Sequence, residues 1–128
     1  MRPTHATFAA LLLPALAAPA AADTLEGREI DQTVRGRRIY LAVPLGGEFP
    51  LTYRPDGRVD GSGEAVGLGR VMRPKDSGRW WVDGRRLCQR WTTWYDGKVF
   101  CFTLRKTAPT QLAWTRDDGL SGTARIGD

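Results

Sequence analysis

Residues 79–104 read RWWVDGRRLCQRWTTWYDGKVFCFTL, and this stretch decides the fold. Apolar and polar side chains alternate around two Asp-Gly pairs, Asp83-Gly84 and Asp96-Gly97. Such alternation is typical of half-buried β-strands, and an Asp-Gly pair between two of them indicates a hairpin. The stretch therefore predicts three consecutive antiparallel strands.

Two cysteines, Cys88 and Cys101, fix how the last two of these strands pair. The first 22 residues predict export, and in an exported protein two cysteines predict one disulfide; two free buried thiols are the alternative. Bridged Cα atoms usually lie within about 7 Å of each other, so the cysteines must stand directly opposite. That register pairs Leu87 with Phe102 and places the loop at residues 93–96 or slightly wider.

The same register separates an apolar face from a face that carries three arginines. The apolar face, which we expect in the core, comprises Trp80, Val82, Leu87, Trp91, Phe100, Phe102 and Leu104. The opposite face comprises Arg79, Trp81, Arg86, Cys88, Arg90, Val99, Cys101 and Thr103. A two-residue turn at Asp83-Gly84 further predicts that Trp80 pairs with Leu87 and Trp81 with Arg86.

Similar alternation and turn residues continue along the rest of the chain. A three-residue loop at residues 55–57 pairs Tyr53 with Val59. One short helix is expected at about residues 24–35, begun by the capping-box pattern Asp23-x-x-Glu26 and ended by Gly36. Eight or nine short strands are predicted near residues 37–43, 48–54, 58–66, 68–73, 79–82, 85–92, 98–105, 111–116 and 121–126. Without long crossovers they form a mostly β fold, an antiparallel meander that curls into a small barrel or half-barrel.

The first 22 residues have the pattern of a secretory signal peptide. Arg2 supplies a positive start, residues 8–18 are apolar, and small residues lead to Ala22. An apolar core of this length followed by an Ala-x-Ala site indicates cleavage near Ala22. We expect residues 23–128 to form a single periplasmic β-domain without a transmembrane segment, because crossing a bilayer takes about 20 apolar residues.

Composition excludes several kinds of chemistry. His5, the single histidine, lies in the expected leader, so residues 23–128 contain none. This excludes histidine-based acid–base, nucleophilic and metal-ligand chemistry, and we expect no enzymatic activity, no cofactor and no metal. The chain has 19 Lys+Arg against 14 Asp+Glu. For an exported protein this balance favours an anionic envelope component or a protein partner over nucleic acid.

The arginine-bearing face is the first candidate binding surface. It carries Trp81 and an exposed disulfide among three arginines, Arg79, Arg86 and Arg90. This combination suits an anionic or ring-bearing ligand. The alternative, which we favour, is that the helix lays Ile30 and Val34 over this face, since a short amphipathic helix needs a partner surface.

The hairpin tip, residues 92–98, is the second candidate. There the disulfide would hold Trp94 and Tyr95 for contact with a partner, or one or both would fold back and cap the barrel. The barrel interior could hold one small ligand, but the apolar face predicts a packed core. A Gly-rich stretch carries four side chains that could bind calcium or serve as catalytic acids: Asp56, Asp60, Ser62 and Glu64. Their spacing fits neither an EF-hand nor a particular glycosidase pair. Turn formation explains these residues instead.

The order of these motifs resembles a family. Tyr-x-Pro-Asp-Gly at residues 53–57 precedes Gly-x-Trp at residues 78–80, then Leu87-Cys88-x-x-Trp91 and Cys101. Over residues 24–126 this is similar to small exported proteobacterial proteins of unknown function, and the resemblance implies the β-meander and no catalytic residue. A more distant similarity is to lipocalin-type periplasmic protease inhibitors, which also combine a leader, a small barrel and one disulfide.

Together these patterns predict a non-enzymatic periplasmic binding or envelope-associated protein. The alternative is an inhibitor of an envelope-acting or invading hydrolase, which would insert the hairpin tip or the N-terminal segment into its target. A carboxylate-dependent hydrolase is a third hypothesis.

Overall fold

Eight strands run as an antiparallel meander and close into a barrel, because β1 (Arg37–Ala42) pairs with both β2 (Glu48–Tyr53) and β8 (Ser121–Ile126). The computed structural model describes residues 3–4, 23–44, 46–63 and 74–128. Its other elements are α1 (Gly27–Val34), β3 (Arg58–Ser62), β4 (Lys75–Asp83), β5 (Arg86–Trp91), a 3-10 turn (Trp94–Gly97), β6 (Val99–Ala108) and β7 (Gln111–Arg116). The predicted fold class is confirmed, and the barrel is closed.

Two hairpin registers predicted from the sequence are confirmed. The two cysteines stand directly opposite each other and are bonded, with their Cα atoms 4.0 Å apart. Leu87 accordingly faces Phe102, so β5 and β6 direct one apolar face towards the core. Tyr53 faces Val59 across the loop that joins β2 to β3.

The pairing of β4 with β5 differs from the prediction by two residues. Trp80 faces Gln89 rather than Leu87, and Trp81 faces Cys88 rather than Arg86. The turn consists of residues 84–85 instead of 83–84, because Gly84 adopts a φ of +58°, which suits the first central position of a type II′ turn. A shift of two residues leaves every side chain on its predicted face.

Several element boundaries also differ from the prediction. The capping box joins Glu26 to Glu29, so α1 begins at Gly27, later than the Asp23 pattern indicated. Strand β4 begins at Lys75 rather than near residue 79. Strand β3 ends at Ser62 rather than near residue 66. The predicted strand at residues 68–73 and the leader apart from residues 3–4 lie outside the described residues.

Helix α1 closes one end of the barrel and does not cover the arginine-bearing face, so that expectation is wrong. Ile30 and Val34 are buried in the same apolar cluster as the inward side chains of the strands. Trp81 stays 39% exposed. The open end of a barrel presents apolar side chains from several strands at once, which is a larger apolar surface than one tryptophan on the outer face. The apolar stripe of the helix therefore packs there.

Side chains fill the barrel interior. Buried residues from α1 and from all eight strands form one cluster, and a cavity of about 30 Å³ remains beside Tyr53 and Gln89. The Tyr53 hydroxyl donates a 2.7 Å hydrogen bond to Oε1 of Gln89. Burial raises the pKa of Tyr53 above its ordinary value, so the hydroxyl keeps its proton and remains a donor.

Removing the disulfide is expected to destabilise the barrel strongly. The bond joins positions 13 residues apart, and closing a loop of this size contributes about 3 kcal/mol. The free energy of unfolding of the double variant Cys88→Ala with Cys101→Ala, measured by urea denaturation, should be lower than that of the wild type by this amount. Reduced wild-type protein is the control, because it lacks the bond but keeps both sulfur atoms. A loss below about 1 kcal/mol in both samples would show that the bond does not constrain the unfolded chain as expected.

The buried Tyr53–Gln89 pair allows a second test of the core. Tyr53→Phe is expected to lower the free energy of unfolding by about 1–3 kcal/mol, because Oε1 of Gln89 is then buried without a donor. Adding Gln89→Leu removes the other polar partner and should restore part of the loss. Urea denaturation of both single variants and the double variant measures this coupling. Losses that simply add would mean that the hydrogen bond contributes nothing.

Candidate functional site

Four arginines, which we call the arginine row, stand side by side on the outer surface: Arg54, Arg58, Arg79 and Arg90. Arg58 faces Arg79, and Arg79 faces Arg90. Arg54 joins them because its backbone N–H donates to the Arg58 carbonyl across the hairpin loop. Adjacent strands lie about 4.8 Å apart, so the four side chains are anchored at short, regular intervals. Like charges directly opposite each other are destabilising, and strand pairing alone does not explain the row.

Acidic partners neutralise only one side of the arginine row. Asp60 accepts a 2.9 Å hydrogen bond from Nε of Arg58 and also pairs with Arg54. Partial burial acts to raise the pKa of Asp60, but the two guanidinium groups hold it below its ordinary value. Arg79 and Arg90 are exposed, and neither forms an ion pair with any residue of the described ranges. Their N–H groups are available to an anion.

The binding residues predicted on β4 and β5 do share one outer face. Trp81 lies two residues beyond Arg79 on the same side of β4 and is 39% exposed. Arg86 is exposed, and its Nη2 donates a 2.9 Å hydrogen bond to Asp83. The disulfide is buried, so the expectation of an exposed one is wrong. Its neighbours shield it on this face, where Trp81 stands directly opposite Cys88.

A second line of polar side chains, the hydroxyl row, runs beside the arginine row: Thr52, Asp60 and Ser77. Thr52 faces Asp60, and Asp60 faces Ser77. These residues lie in a groove of about 740 Å³ on the outer surface of β1 to β4. The charged side chains that line the same groove are Arg38, Arg54, Arg58, Lys75, Asp60 and Asp76.

Only half of the arginine row follows from the sequence. Arg79 and Arg90 follow from the alternation of β4 and β5, whereas the pattern around Arg54 and Arg58 predicts only a turn. Arg54 and Arg58 stand on either side of the predicted loop at residues 55–57, and this position in the sequence could have identified them as cross-strand neighbours. The pairing of β3 with β4 could not be predicted, because the sequence pattern indicates a further strand between them at residues 68–73.

The two aromatic residues of the hairpin tip have different environments. Trp94 folds back and covers the second end of the barrel, with its ring centroid 4.7 Å from that of Trp91 and 5.5 Å from that of Phe49. Gly61 makes room for this ring, since a Cβ there would lie 2.6 Å from Cζ3 of Trp94. Tyr95 is 57% exposed. Of the two residues, only Tyr95 is presented to a partner.

Asp76 holds the hairpin tip in place. One of its carboxylate oxygens accepts hydrogen bonds from the backbone N–H groups of Thr93 (2.9 Å) and Trp94 (2.8 Å). Partial burial acts to raise the pKa of Asp76, but these backbone hydrogen bonds hold it below its ordinary value. Tyr95 and Asp96 both have left-handed backbone angles, with φ of +56° and +53°. Such angles are costly for residues other than glycine and persist only where surrounding contacts impose them.

The acidic residues of the Gly-rich stretch form turn contacts and ion pairs. Asp56 accepts a 2.9 Å hydrogen bond from the backbone N–H of Arg58, as turn formation predicts. A glycosidase acid requires a raised pKa, whereas the pKa values of Asp60 and Asp76 are lowered. Within the described part of the chain, no three His, Cys, Asp or Glu side chains are grouped to hold a metal ion. Glu64 lies outside the described residues.

Comparison with protein-family models, with curated proteins and with solved structures finds no match to this chain. The resemblance to small exported proteobacterial proteins, and the more distant one to protease inhibitors, therefore stay predictions. Among residues 23–44, 46–63 and 74–128, no helix has the length and apolar character needed to cross a membrane.

The role of Asp76 predicts a pH dependence of stability. Its pKa is lowered in the folded state, so its contribution is complete above the unfolded-state value near 4 and is lost as the pH falls through the folded-state value. Asp76→Asn is expected to cost about 1 kcal/mol at pH 7, and the difference from wild type should shrink at pH values below about 4. Urea denaturation across this range measures it.

Asp96→Asn is the matched control, because Asp96 lies in the same tip and its side chain forms no hydrogen bond with a described residue. This variant should keep wild-type stability at every pH. If the difference in the free energy of unfolding between wild type and Asp76→Asn stays constant down to acid pH, the result contradicts the proposed role of the carboxylate.

Proposed function

We propose that this chain is a non-enzymatic periplasmic binding protein that holds an anionic envelope component on its arginine row. One observation carries the proposal: Arg79 and Arg90 face each other with no acidic partner among the described residues. Two such charges at strand spacing repel each other. A phosphate, sulfate or carboxylate group between them would remove that repulsion and accept charge-assisted hydrogen bonds from both.

Trp81 supports the proposal with apolar contact area next to the charges. An exposed tryptophan beside arginines combines two of the residue types that contribute most to binding energy at contact surfaces. Trp81 lies on β4, which pairs with a strand covalently bonded to the next one. Such a surface is ordered before the ligand arrives, so binding loses little conformational freedom.

Export and the lack of catalysis are part of the same proposal. Cleavage near Ala22 would leave residues 23–128, which contain no histidine. A disulfide is typical of an oxidising compartment such as the periplasm. The groove carboxyls Asp60 and Asp76 have lowered pKa values, which does not suit proton transfer near neutral pH.

Inhibition of an envelope-acting or invading hydrolase is the second candidate function. The observation that favours it is the exposure of Tyr95 on a tip whose backbone is held by Asp76. A rigid loop that presents an aromatic side chain suits insertion into a cleft. Trp94 packs against the barrel instead, so the contact would depend on Tyr95.

Inorganic pyrophosphate is a suitable first probe for the arginine row, because its two phosphate groups can meet two arginines. In an NMR titration of residues 23–128, we expect the largest amide shifts in β4 and β5. The double variant Arg79→Ala with Arg90→Ala should bind at least about tenfold more weakly, since each hydrogen bond to a charged group contributes about 1.5–3 kcal/mol.

The matched control is Arg28→Ala with Arg105→Ala, which removes two exposed arginines elsewhere on the molecule. It should change the affinity little, because exposed charges beyond about 10 Å are screened at 0.1 M salt. Equal losses in both double variants would show attraction by net charge alone and overturn the proposal. A hydrolase recovered from envelope extract by the wild type but not by Tyr95→Ala would support inhibition instead.

A further inference from the structure

The hydroxyl row lies directly beside the arginine row, because each of its residues is two positions away in sequence from an arginine of that row. Thr52 and Ser77 flank Asp60 at strand spacing. Neither hydroxyl forms a side-chain hydrogen bond with another residue of the described ranges. Both can donate and accept hydrogen bonds. The groove therefore offers uncommitted polar groups in addition to positive charge.

Asp60 determines which kind of anion fits this surface. Its carboxylate is ionised and belongs to the residue in the middle of the hydroxyl row, where Arg54 and Arg58 bind it. A carboxylate has about four lone-pair sites, so these two contacts leave acceptor capacity. An anion with no donor of its own would be repelled there, whereas a ligand hydroxyl would donate to it. The surface thus matches a ligand that carries both anionic groups and hydroxyl groups.

Trp81 lies on the other side of the arginine row and adds a third requirement. Its exposed ring offers an apolar face, which a ligand made only of polar groups leaves unused. A sugar ring has an apolar C–H face, and its edge carries hydroxyl groups. A bare inorganic chain has neither.

We infer that the anionic ligand is an acidic glycan, a sugar polymer with sulfate, phosphate or carboxylate substituents. Its charged groups lie on the arginine row, its ring hydroxyls on the hydroxyl row, and one ring face on Trp81. This inference rests on the proposed function and specifies its ligand class. The uncommitted groups extend from Thr52 on β2 to Arg90 on β5, three strand spacings or roughly 14 Å, so the ligand is a chain rather than a single sugar.

Three probes of matched chain length test the inference by calorimetry at fixed salt: dextran sulfate, uncharged dextran and linear polyphosphate. Wild-type residues 23–128 should bind dextran sulfate and not uncharged dextran. Thr52→Val with Ser77→Ala removes both hydroxyls while nearly keeping side-chain shape. It should weaken dextran sulfate binding about three- to tenfold, the usual effect of losing one or two neutral hydrogen bonds. Its affinity for polyphosphate should not change.

A matched control pair lies on the outer surface of β7 and β8, where Thr115 faces Ser121. Thr115→Val with Ser121→Ala should change neither affinity. Equal unfolding midpoints of the two double variants establish that the barrel is intact. Trp81→Ala should also weaken dextran sulfate binding more than polyphosphate binding.

The experiment separates failure of the inference from failure of the proposed function. The inference that the ligand is a glycan is overturned by either of two results. One is that dextran sulfate does not bind, and the other is that Thr52→Val with Ser77→Ala weakens the binding of both anionic probes equally. If Arg79→Ala with Arg90→Ala weakens polyphosphate binding at least about tenfold in that case, the arginine row remains an anion site. If that variant binds polyphosphate like the wild type, the proposed function fails as well.

Discussion

The register of β5 against β6, held by the bond between Cys88 and Cys101, is the constraint on which the rest of the structure depends. A slip of one residue exchanges the inner and outer faces of a strand. In β5 it would direct Arg90 into the core and Trp91 to the surface. The bond therefore decides at once which side chains fill the barrel and which stay available to a ligand. Core stability and the presentation of the arginines share one covalent cause.

Closing the sheet leaves two open ends, and different parts of the chain fill them. Helix α1 inserts Ile30 and Val34 at one end, and Trp94 packs above Gly61 at the other. Both insertions cover apolar surface that strand pairing leaves exposed. The remaining cavity of about 30 Å³ is far below the roughly 300–1,000 Å³ of small-molecule pockets. Recognition of a ligand is thereby moved to the outer surface.

Contacts within one hairpin could be predicted from the sequence, whereas contacts between distant segments could not. The pairing of Tyr53 with Val59 follows from the length of one loop, and that of the cysteines from the reach of one bond. The pairing of β4 with β5 differs from its predicted register by two residues, because a two-residue loop at 83–84 and one at 84–85 satisfy the same alternation. The surface on which the helix packs was predicted wrongly. An amphipathic stripe such as that of Ile30 and Val34 shows that a helix needs an apolar partner surface, but it does not show which surface that is.

Directly paired charged residues on neighbouring strands usually attract each other, as when Arg86 on β5 donates a hydrogen bond to Asp83, which faces it on β4. The arginine row departs from this pattern at three successive strand boundaries. Asp60 compensates one side of it, and nothing within the described residues compensates Arg79 and Arg90. Repulsion that destabilises the free protein is relieved when an anion binds, so it contributes to affinity instead. Because the strands set the spacing of the charges beforehand, a ligand meets them without having to order the side of the barrel that it contacts.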